Sequence, residues 1–430
     1  MKIAVVGIWH LGSVYAACLA AAGHEVTAMD EDESVVEGLR EGRLPVDEPG
    51  LAELWRQWTA GGRLRCSSAA AAVAGADIVW ITYDTPVDDQ DRADVEFVVE
   101  RVMRLFRHLD DGTTVVVSSQ LPVGTTARLE KAFAACGGAR KVDFAYSPEN
   151  LRLGSAIDAF TKADRFVVGV RSQRARQALQ AALGLVIRRI EWMSVESAEM
   201  TKHATNAFLA TSVVFMNEIA RICERVGADA AEVGRALKSD ARIGPRAYLR
   251  PGGAFAGGTL ARDIAFLVKL GQSTGADGPF FDAVYGANER HKGWPLQRLR
   301  ELVGPLPGRK VAVLGLTYKP GTDTLRRSSS VELCLAAARE GAAVTAYDPA
   351  VRALPAELAP HVRLADSLAA AMAGAEAAVV MTEWPQFRQV TADDVLRGMA
   401  QPVIVDAGGL LADRLGVDER IRYVRVGKGA

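Results

Sequence analysis

The sequence predicts an α/β fold: two Rossmann-like parallel-sheet domains joined by a long central helix. Three observations carry that prediction. Residues 2–6 (KIAVV) read as an unbroken apolar strand followed by a glycine-punctuated turn and a helix. The same order begins again at 310–315 (KVAVLG). Between them, 194–227 runs without Gly or Pro until Gly227, long enough at ~1.5 Å per residue to span roughly 50 Å.

A chain of 430 residues exceeds a single ordinary core, so two or three domains are expected. Its 49% hydrophobic and 24% charged residues are those of a globular protein. A net charge of −1 argues against nucleic acid or an anionic membrane as partner. No apolar run reaches the ~18 residues of a membrane span. The N-terminus starts a strand at residue 2 and lacks the features of a signal peptide. Cys18, Cys66, Cys136, Cys223 and Cys334 are scattered without CxxC spacing, which points to reduced thiols and a cytoplasmic location. The histidines are equally dispersed, and no metal site is expected.

The first unit opens with the strand 2–6, the turn Gly7-Ile8-Trp9-His10-Leu11-Gly12, a helix over 13–22 and a strand over 25–29 that ends at Asp30. The free N–H groups of such a helix end suit a pyrophosphate. Asp30 suits a ribose 2′-OH, which favours NAD over NADP. Gly7, Trp9, His10, Leu11, Gly12 and Asp30 are therefore candidate cofactor residues. Trp9 stands where the usual GxGxxG has a glycine, so its indole either displaces the pyrophosphate or shields it. Further strands are expected at 76–82, 113–118 and 144–146, with a helix over 95–108 and a strand over 166–170 closing the domain. Glu191 and Trp192 lead into the central helix. The loops after these strand ends, with Thr85-Pro86, Gln120 and Glu149-x-Leu151-Arg152, lie where open α/β sheets bind ligands.

In the central helix Met200, Ala204, Phe208, Phe215, Ile219 and Ile222 recur mostly at three- and four-residue spacings. Ser194 or Ser197 can cap its start, and Glu196 and Glu199 favour its first turn. Lys202 and Asn206 leave one face at i, i+4, either as a catalytic pair or as a solvated face. A short helix over 229–237 follows, then Arg242. The glycine-rich stretch 248–263 is expected to be a loop whose backbone can approach a ligand, with a helix from Ile264. The second unit has strands at 311–315, 343–347, 377–381 and 403–405 and a helix over 328–340.

Several motifs then occur in order: Ser147-Pro148-Glu149-x-Leu151-Arg152, Glu199-Met200-x-Lys202-x-x-x-Asn206-x-Phe208, Asn217-Glu218-Ile219-Ala220, Pro251-Gly252 through Asp263, Gly315-Leu316-x-Tyr318-Lys319-Pro320-x-Thr322-Asp323, Ala346-Tyr347-Asp348-Pro349 and Thr382-Glu383-Trp384. With them the chain resembles the UDP-glucose/GDP-mannose dehydrogenase family along nearly its whole length. The resemblance implies an NAD-binding domain (1–193), a central dimerisation and substrate-loop region (194–300) and a sugar-nucleotide-binding domain (301–430), paired as a homodimer through the central helix. It implies a double oxidation at sugar C6, in which a cysteine traps the aldehyde and a thioester is hydrolysed. Lys202 and Asn206 match the family's oxyanion pair, Asp263 the carboxylate near the nucleophile, and Glu149 the motif glutamate. Thr85, Pro86 and Arg326 match cofactor positions. Glu149, Leu151, Arg152, Lys202, Asn206, Arg242, Tyr248, Leu249, Gly253, Phe255, Gly257 and Lys319 match positions that hold the nucleotide sugar.

Two departures touch the same half of that chemistry. Counted back from Asp263, the family's nucleophilic cysteine position is Thr259, and Gln120 replaces a threonine that organises water. Arg262 also replaces a lysine. A hydroxyl needs an adjacent base to attack, whereas a thiol ionises near ~8.5. The expected function is thus NAD-dependent oxidation of a UDP-glucose-like nucleotide sugar at C6 without the covalent thioester step. The alternatives are a redox-neutral epimerase with retained NAD and a non-catalytic sugar-nucleotide-binding homologue.

Overall fold

The computed structural model describes residues 1–88, 93–149, 151–256, 258–276 and 278–429. The chain divides into two compact units, Met1–Ala204 and Thr205–Ala430, with the boundary inside one continuous helix, Val195–Val226.

The first unit is built on eight strands: β1 Lys2–Val6, β2 Glu25–Met29, β3 Leu64–Ser67, β4 Ile78–Ile81, β5 Thr114–Val117, β6 Asp143–Tyr146, β7 Phe166–Gly169 and β8 Ile190–Met193. Their order is β3-β2-β1-β4-β5-β6-β7-β8. Neighbours run parallel except β6 and β7, whose register pairs Tyr146 with Gly169 antiparallel. β4 and β5 are buried along their whole length, as apolar strands covered on both faces must be. One face packs on Tyr15, Leu19 and Phe160, the other on Val99, Phe106 and Phe133. The strand order reverses between β1 and β4, which makes the crevice beyond their carboxyl ends the switch point.

Two expectations change here. The strand over 166–170 does not close the sheet. β8, which includes Glu191 and Trp192, pairs outside it. As an edge strand it is only half-buried, so its sequence lacks the continuous apolar run that marks the central strands. The first helix starts at His10 rather than at residue 13. Ser13, where the helix was expected to start, is fully buried within it.

The second unit carries a six-stranded, all-parallel sheet: β9 Lys310–Leu314, β10 Ala343–Tyr347, β11 Val362–Leu364, β12 Ala377–Val380, β13 Val403–Asp406 and β14 Arg422–Val424. Its order is β11-β10-β9-β12-β13-β14. Two helices that the sequence reading passed over, Pro279–Lys292 and Trp294–Val303, each carry a proline in their first two positions, where its missing N–H costs nothing. The helix expected from Ile264 begins at Gly258. Glycine is costly inside a helix, about 1 kcal/mol against alanine, but the first turn is open at its N–H end and the burial of Asp263 and Ile264 holds the rest.

The central helix begins and ends where the sequence marks it. Ser194 Oγ accepts from Ser197 N at 3.2 Å and caps it, and Gly227 ends it in the left-handed region (φ 75°). The face that carries Ala198, Glu199, Lys202, His203, Asn206, Asn217 and Ala220 is buried. The aromatic and aliphatic stripe is not: Phe208 is 70%, Phe215 48% and Ile222 58% exposed. Among the described residues no helix is long and apolar enough to cross a membrane.

Candidate active site

In the first unit β1 runs into Gly7, whose φ of 91° excludes ordinary side chains. A Cβ there would lie 2.8 Å from Tyr83 N. Gly7 N bonds Met29 O at 2.9 Å, closing the turn against β2. A Cβ on Gly12 would meet Gly7 O at 2.2 Å, so the helix packs directly on the turn. Trp9 is the N-cap, lends no side-chain cap and is 51% exposed. No acidic residue occupies the first helical turn, so its N–H groups are open to an anion. Asp30 Oδ2 accepts from Ile8 N at 2.7 Å and Oδ1 from Asp32 N at 3.0 Å, and the residue is only half-buried. A carboxylate so placed keeps lone pairs for two hydroxyls. This cradle fits a dinucleotide. Leu11 packs on the core, His10 faces Glu48, Thr85 Oγ1 donates to Gln120 O at 2.9 Å, and Pro86 is exposed.

Lys202 lies in the same unit. Its ammonium donates to Glu149 O at 2.7 Å and Glu149 Oε1 at 3.1 Å, while Glu149 Oε2 accepts from Leu151 N at 2.8 Å. Arg152 is exposed and Leu151 packs on the core. The buried Lys202 is thus held by the loop that follows β6. Glu199, read as a first-turn charge, is fully buried and does different work. It accepts from Gly124 N at 2.6 Å, Thr126 N at 2.9 Å and Thr126 Oγ1 at 2.7 Å, fixing the loop after β5 and the start of helix Thr125–Cys136. His203 Nε2 bonds Leu121 O at 3.2 Å. Glu199 and Lys202, three apart on one helix, thus each reach a different strand-end loop.

In the second unit Asn206 Nδ2 donates to Asp263 Oδ2, and both residues are buried. Thr259 lies one turn before Asp263, exposed on the first turn of helix Gly258–Thr274. The glycine loop before this helix is held by side chains that sequence reasoning gave no such role. Asn217 Oδ1 accepts from Gly252 N at 3.0 Å. Asn288 bonds both Phe255 N (2.9 Å) and Phe255 O (3.0 Å), and His291 Nε2 donates to Gly252 O at 2.8 Å. Asn288 and His291, three apart on one helix, are buried polar residues, and that spacing was the available signal. Burial pushes the His291 pKa down.

A cavity of about 310 Å³ opens here, lined by Gly253, Phe255, His291, Trp294, Tyr318, Ser329 and Glu383 among others. Of the expected substrate residues, Gly253 and Phe255 line it. Leu249 is in the core. Tyr248 is 44% exposed, and Arg242 is at the surface, paired with Asp240. Lys319 is exposed, its ammonium 5.5 Å above the Tyr318 ring, and Arg326 is exposed. Gly257 lies outside the described residues. Burial pushes the thiols of Cys18 and Cys334 up to about 12 and that of Cys66 up to about 11, which leaves them protonated near neutral pH. Among the described residues no group of three or more His, Cys, Asp or Glu could hold a metal.

Three family models match the chain. The UDP-glucose/GDP-mannose dehydrogenase NAD-binding domain covers residues 1–183, the central domain 196–290 and the UDP-binding domain 312–413. The UDP-glucose 6-dehydrogenase of Pseudomonas aeruginosa is 35% identical over 100% of this chain and 98% of its own length. UDP-glucose 6-dehydrogenase TuaD of Bacillus subtilis is 34% identical over 96% of this chain and 90% of its own. The solved structure of a UDP-glucose dehydrogenase from Pyrobaculum islandicum superposes with a TM-score of 0.86 at 33% identity, covering 100% and 98% of the two chains.

Proposed function

The chain belongs to the UDP-glucose/GDP-mannose dehydrogenase family and is an NAD-dependent oxidoreductase acting on CH–OH; from that premise we propose that it oxidises a UDP-glucose-like nucleotide sugar at C6 without capturing the sugar covalently. NAD supplies the hydride acceptor. The residues of the first unit proposed to hold it are Gly7, Trp9, His10, Leu11, Gly12, Asp30, Thr85 and Pro86. The nucleotide is proposed to lie in the cavity lined by Gly253 and Phe255, with Lys319 and Arg242 lending charge.

In this reading Lys202, oriented by Glu149, donates to the oxygen that develops negative charge at C6, and Asn206 has the same role one helical turn on. Preorganised donors of this kind are worth about 3–4 kcal/mol each to a transition state. The first step breaks the C6–H and O–H bonds, releasing a hydride and a proton and leaving an aldehyde. The aldehyde is then either released or, once water has added to give the hydrate, slowly oxidised with loss of a second hydride and proton to give the acid. Gln120 lies at the position where the family resemblance places a water-organising threonine. The observation behind this reading is Thr259: the position matched to the nucleophilic cysteine carries a hydroxyl, while Asp263 is present, buried and bonded to Asn206. The raised thiols of Cys18, Cys66 and Cys334 support it further.

We also propose that the chain works in three parts, 1–193, 194–300 and 301–430. It pairs as a homodimer through the exposed Phe208, Phe215 and Ile222 stripe, a surface costly to leave in water, and it resides in the cytoplasm.

The test is a panel of UDP-, GDP-, TDP- and CDP-sugars with NAD, read by absorbance and product mass. UDP-glucose is expected to yield NADH and an aldehyde trappable by hydroxylamine, and Thr259→Cys is expected to gain acid formation. Turnover without net absorbance change would make it an epimerase. Thermal stabilisation by UDP-glucose without turnover would make it a binding protein.

A further inference from the structure

Glu48 has no part in the scheme above, yet it is enclosed: its side chain is 1% exposed. It lies beyond helix Glu33–Arg40, in the segment that leads to helix Leu51–Ala60. Its Oε2 accepts from His10 Nε2 at 3.0 Å and from Gly154 N at 2.9 Å, and its Oε1 accepts from Ala156 N at 2.8 Å. An ionised carboxylate only accepts, so the imidazole presents N–H at Nε2. Burial alone would push the Glu48 carboxyl up. The amides of Ala156 and Gly154 and the His10 imidazole outweigh that and hold it below the usual carboxylate range.

The partners matter more than the bonds. His10 is the first residue of the helix whose N-terminus faces the dinucleotide cradle. Gly154 lies in the loop that begins at Leu151, and Ala156 is the first residue of the helix Ala156–Thr161 that ends it; the Leu151 N–H is held by Glu149 Oε2, and Glu149 Oε1 accepts from Lys202. One path thus runs within the first unit from the cofactor turn to Lys202, through hydrogen bonds at Glu48 and Glu149 and the short covalent segment 151–154 between them. A staple of this kind can hold a loop in place and do nothing else. It can also transmit occupancy, because His10 moves with the helix end and the amides of Gly154 and Ala156 move with the loop.

We infer that Glu48 is a positioning residue that couples the dinucleotide turn to the 151–156 loop, so that cofactor bound at one orders the other. The inference rests on the cofactor cradle described above and, for its effect on substrate, on the proposed role of Lys202 and Glu149. Binding free energies are reciprocal, so cofactor must then tighten substrate binding by the factor by which substrate tightens cofactor.

The direct test is amide hydrogen exchange on the full chain with and without saturating NADH, its binding to each variant followed by fluorescence. In the native protein NADH is expected to slow exchange at Gly154 and Ala156 by about fivefold or more, the lower end of usual couplings. In His10→Ala, which leaves the Glu48 bonds to both amides in place, that protection falls below about twofold; His10→Gln, whose amide can still donate to Glu48, restores it. Glu48→Gln is the second variant, read by the dissociation constant of UDP-glucose with and without NADH. The tightening by NADH is expected in the native protein and is lost in the variant. Equal protection in native protein and His10→Ala, or none in either, overturns the inference. Protection that behaves as expected while UDP-glucose fails to bind overturns the substrate reading and leaves the coupling standing.

Discussion

The chain builds the same strand–turn device twice and uses it differently. At β1 and at β9 the strand ends in a glycine at φ 91°, Gly7 and Gly315, each bonded to the last residue of the next strand, Met29 or Tyr347. Each next strand is followed by an aspartate that accepts the N–H just past its glycine: Asp30 from Ile8 and Asp348 from Leu316, both at 2.7 Å. There the likeness stops. Asp30 is half-exposed, and its helix begins three residues after Gly7. Asp348 is 1% exposed and also accepts from Thr317 N, Thr317 Oγ1, Trp384 Nε1 and Ala350 N. Its helix begins only at Ser329. The first device leaves a carboxylate and a helix end open to a dinucleotide. In the second, Trp384 and Thr317 seal the carboxylate, and the long loop 316–328 lends residues to a cavity instead. One topology gives two sites because the aspartate's remaining lone pairs are left free in one case and used in the other.

The sharpest way to break this comparison is to remove both aspartates. Asp348→Ala strips a carboxylate from several buried donors, each worth about 1–3 kcal/mol when orphaned. The second unit is expected to melt about 10 °C lower in calorimetry. Asp30→Ala is expected to leave melting within about 2 °C while raising the KM for NAD about 10–100-fold, the range of charge-assisted bonds. If the two variants lose stability equally, the distinction between open and sealed falls.

A smaller effect separates the cavity from the cradle. Asn288→Ala removes both side-chain bonds to Phe255, a loss of about 2 kcal/mol. The KM for the nucleotide sugar should rise about 10–30-fold with the KM for NAD unchanged. Smaller again, Trp9→Gly restores a glycine to the cofactor turn and is expected to lower the KM for NAD about 3–10-fold. A rise would mean that the indole holds the cofactor. The smallest effect is one of pH. Burial depresses the folded pKa of His291 below its usual 6.5, so its contribution to stability is present above that value and is lost as pH falls through the folded value. The fall in Tm between pH 7.5 and 5.5 should be about 2 °C smaller in His291→Gln than in the native chain.

The candidate residues were singled out from local order, and the misreadings share one cause. Gly7, Asp30, Lys202, Asn206, Thr259 and Asp263 were chosen because strand–turn–helix order and the family motifs fix them locally. Glu199 was misread as a first-turn charge because its three partners lie more than seventy residues away. Asn288 and His291 were missed, and Asn217 was given no role beyond its motif, because a buried polar residue on a helix has the same sequence signature as a solvated one until its partner is known. The apolar spacing of the central helix was legible, but that Phe208, Phe215 and Ile222 stay exposed within the chain was not.

By itself, the amino-acid order determined the two parallel sheets, the long helix and the NAD-type crossover. These follow from periodicity, glycine placement and side-chain chemistry, which act over a few residues. Only the tertiary structure decided which carboxylates are spent and which are free: Asp348 sealed by Trp384, Glu199 consumed by the loop after β5, Glu48 tied to His10, and Asp30 left open. A carboxylate's availability depends on every donor that reaches it, and those donors are brought together by folding, not by their order along the chain.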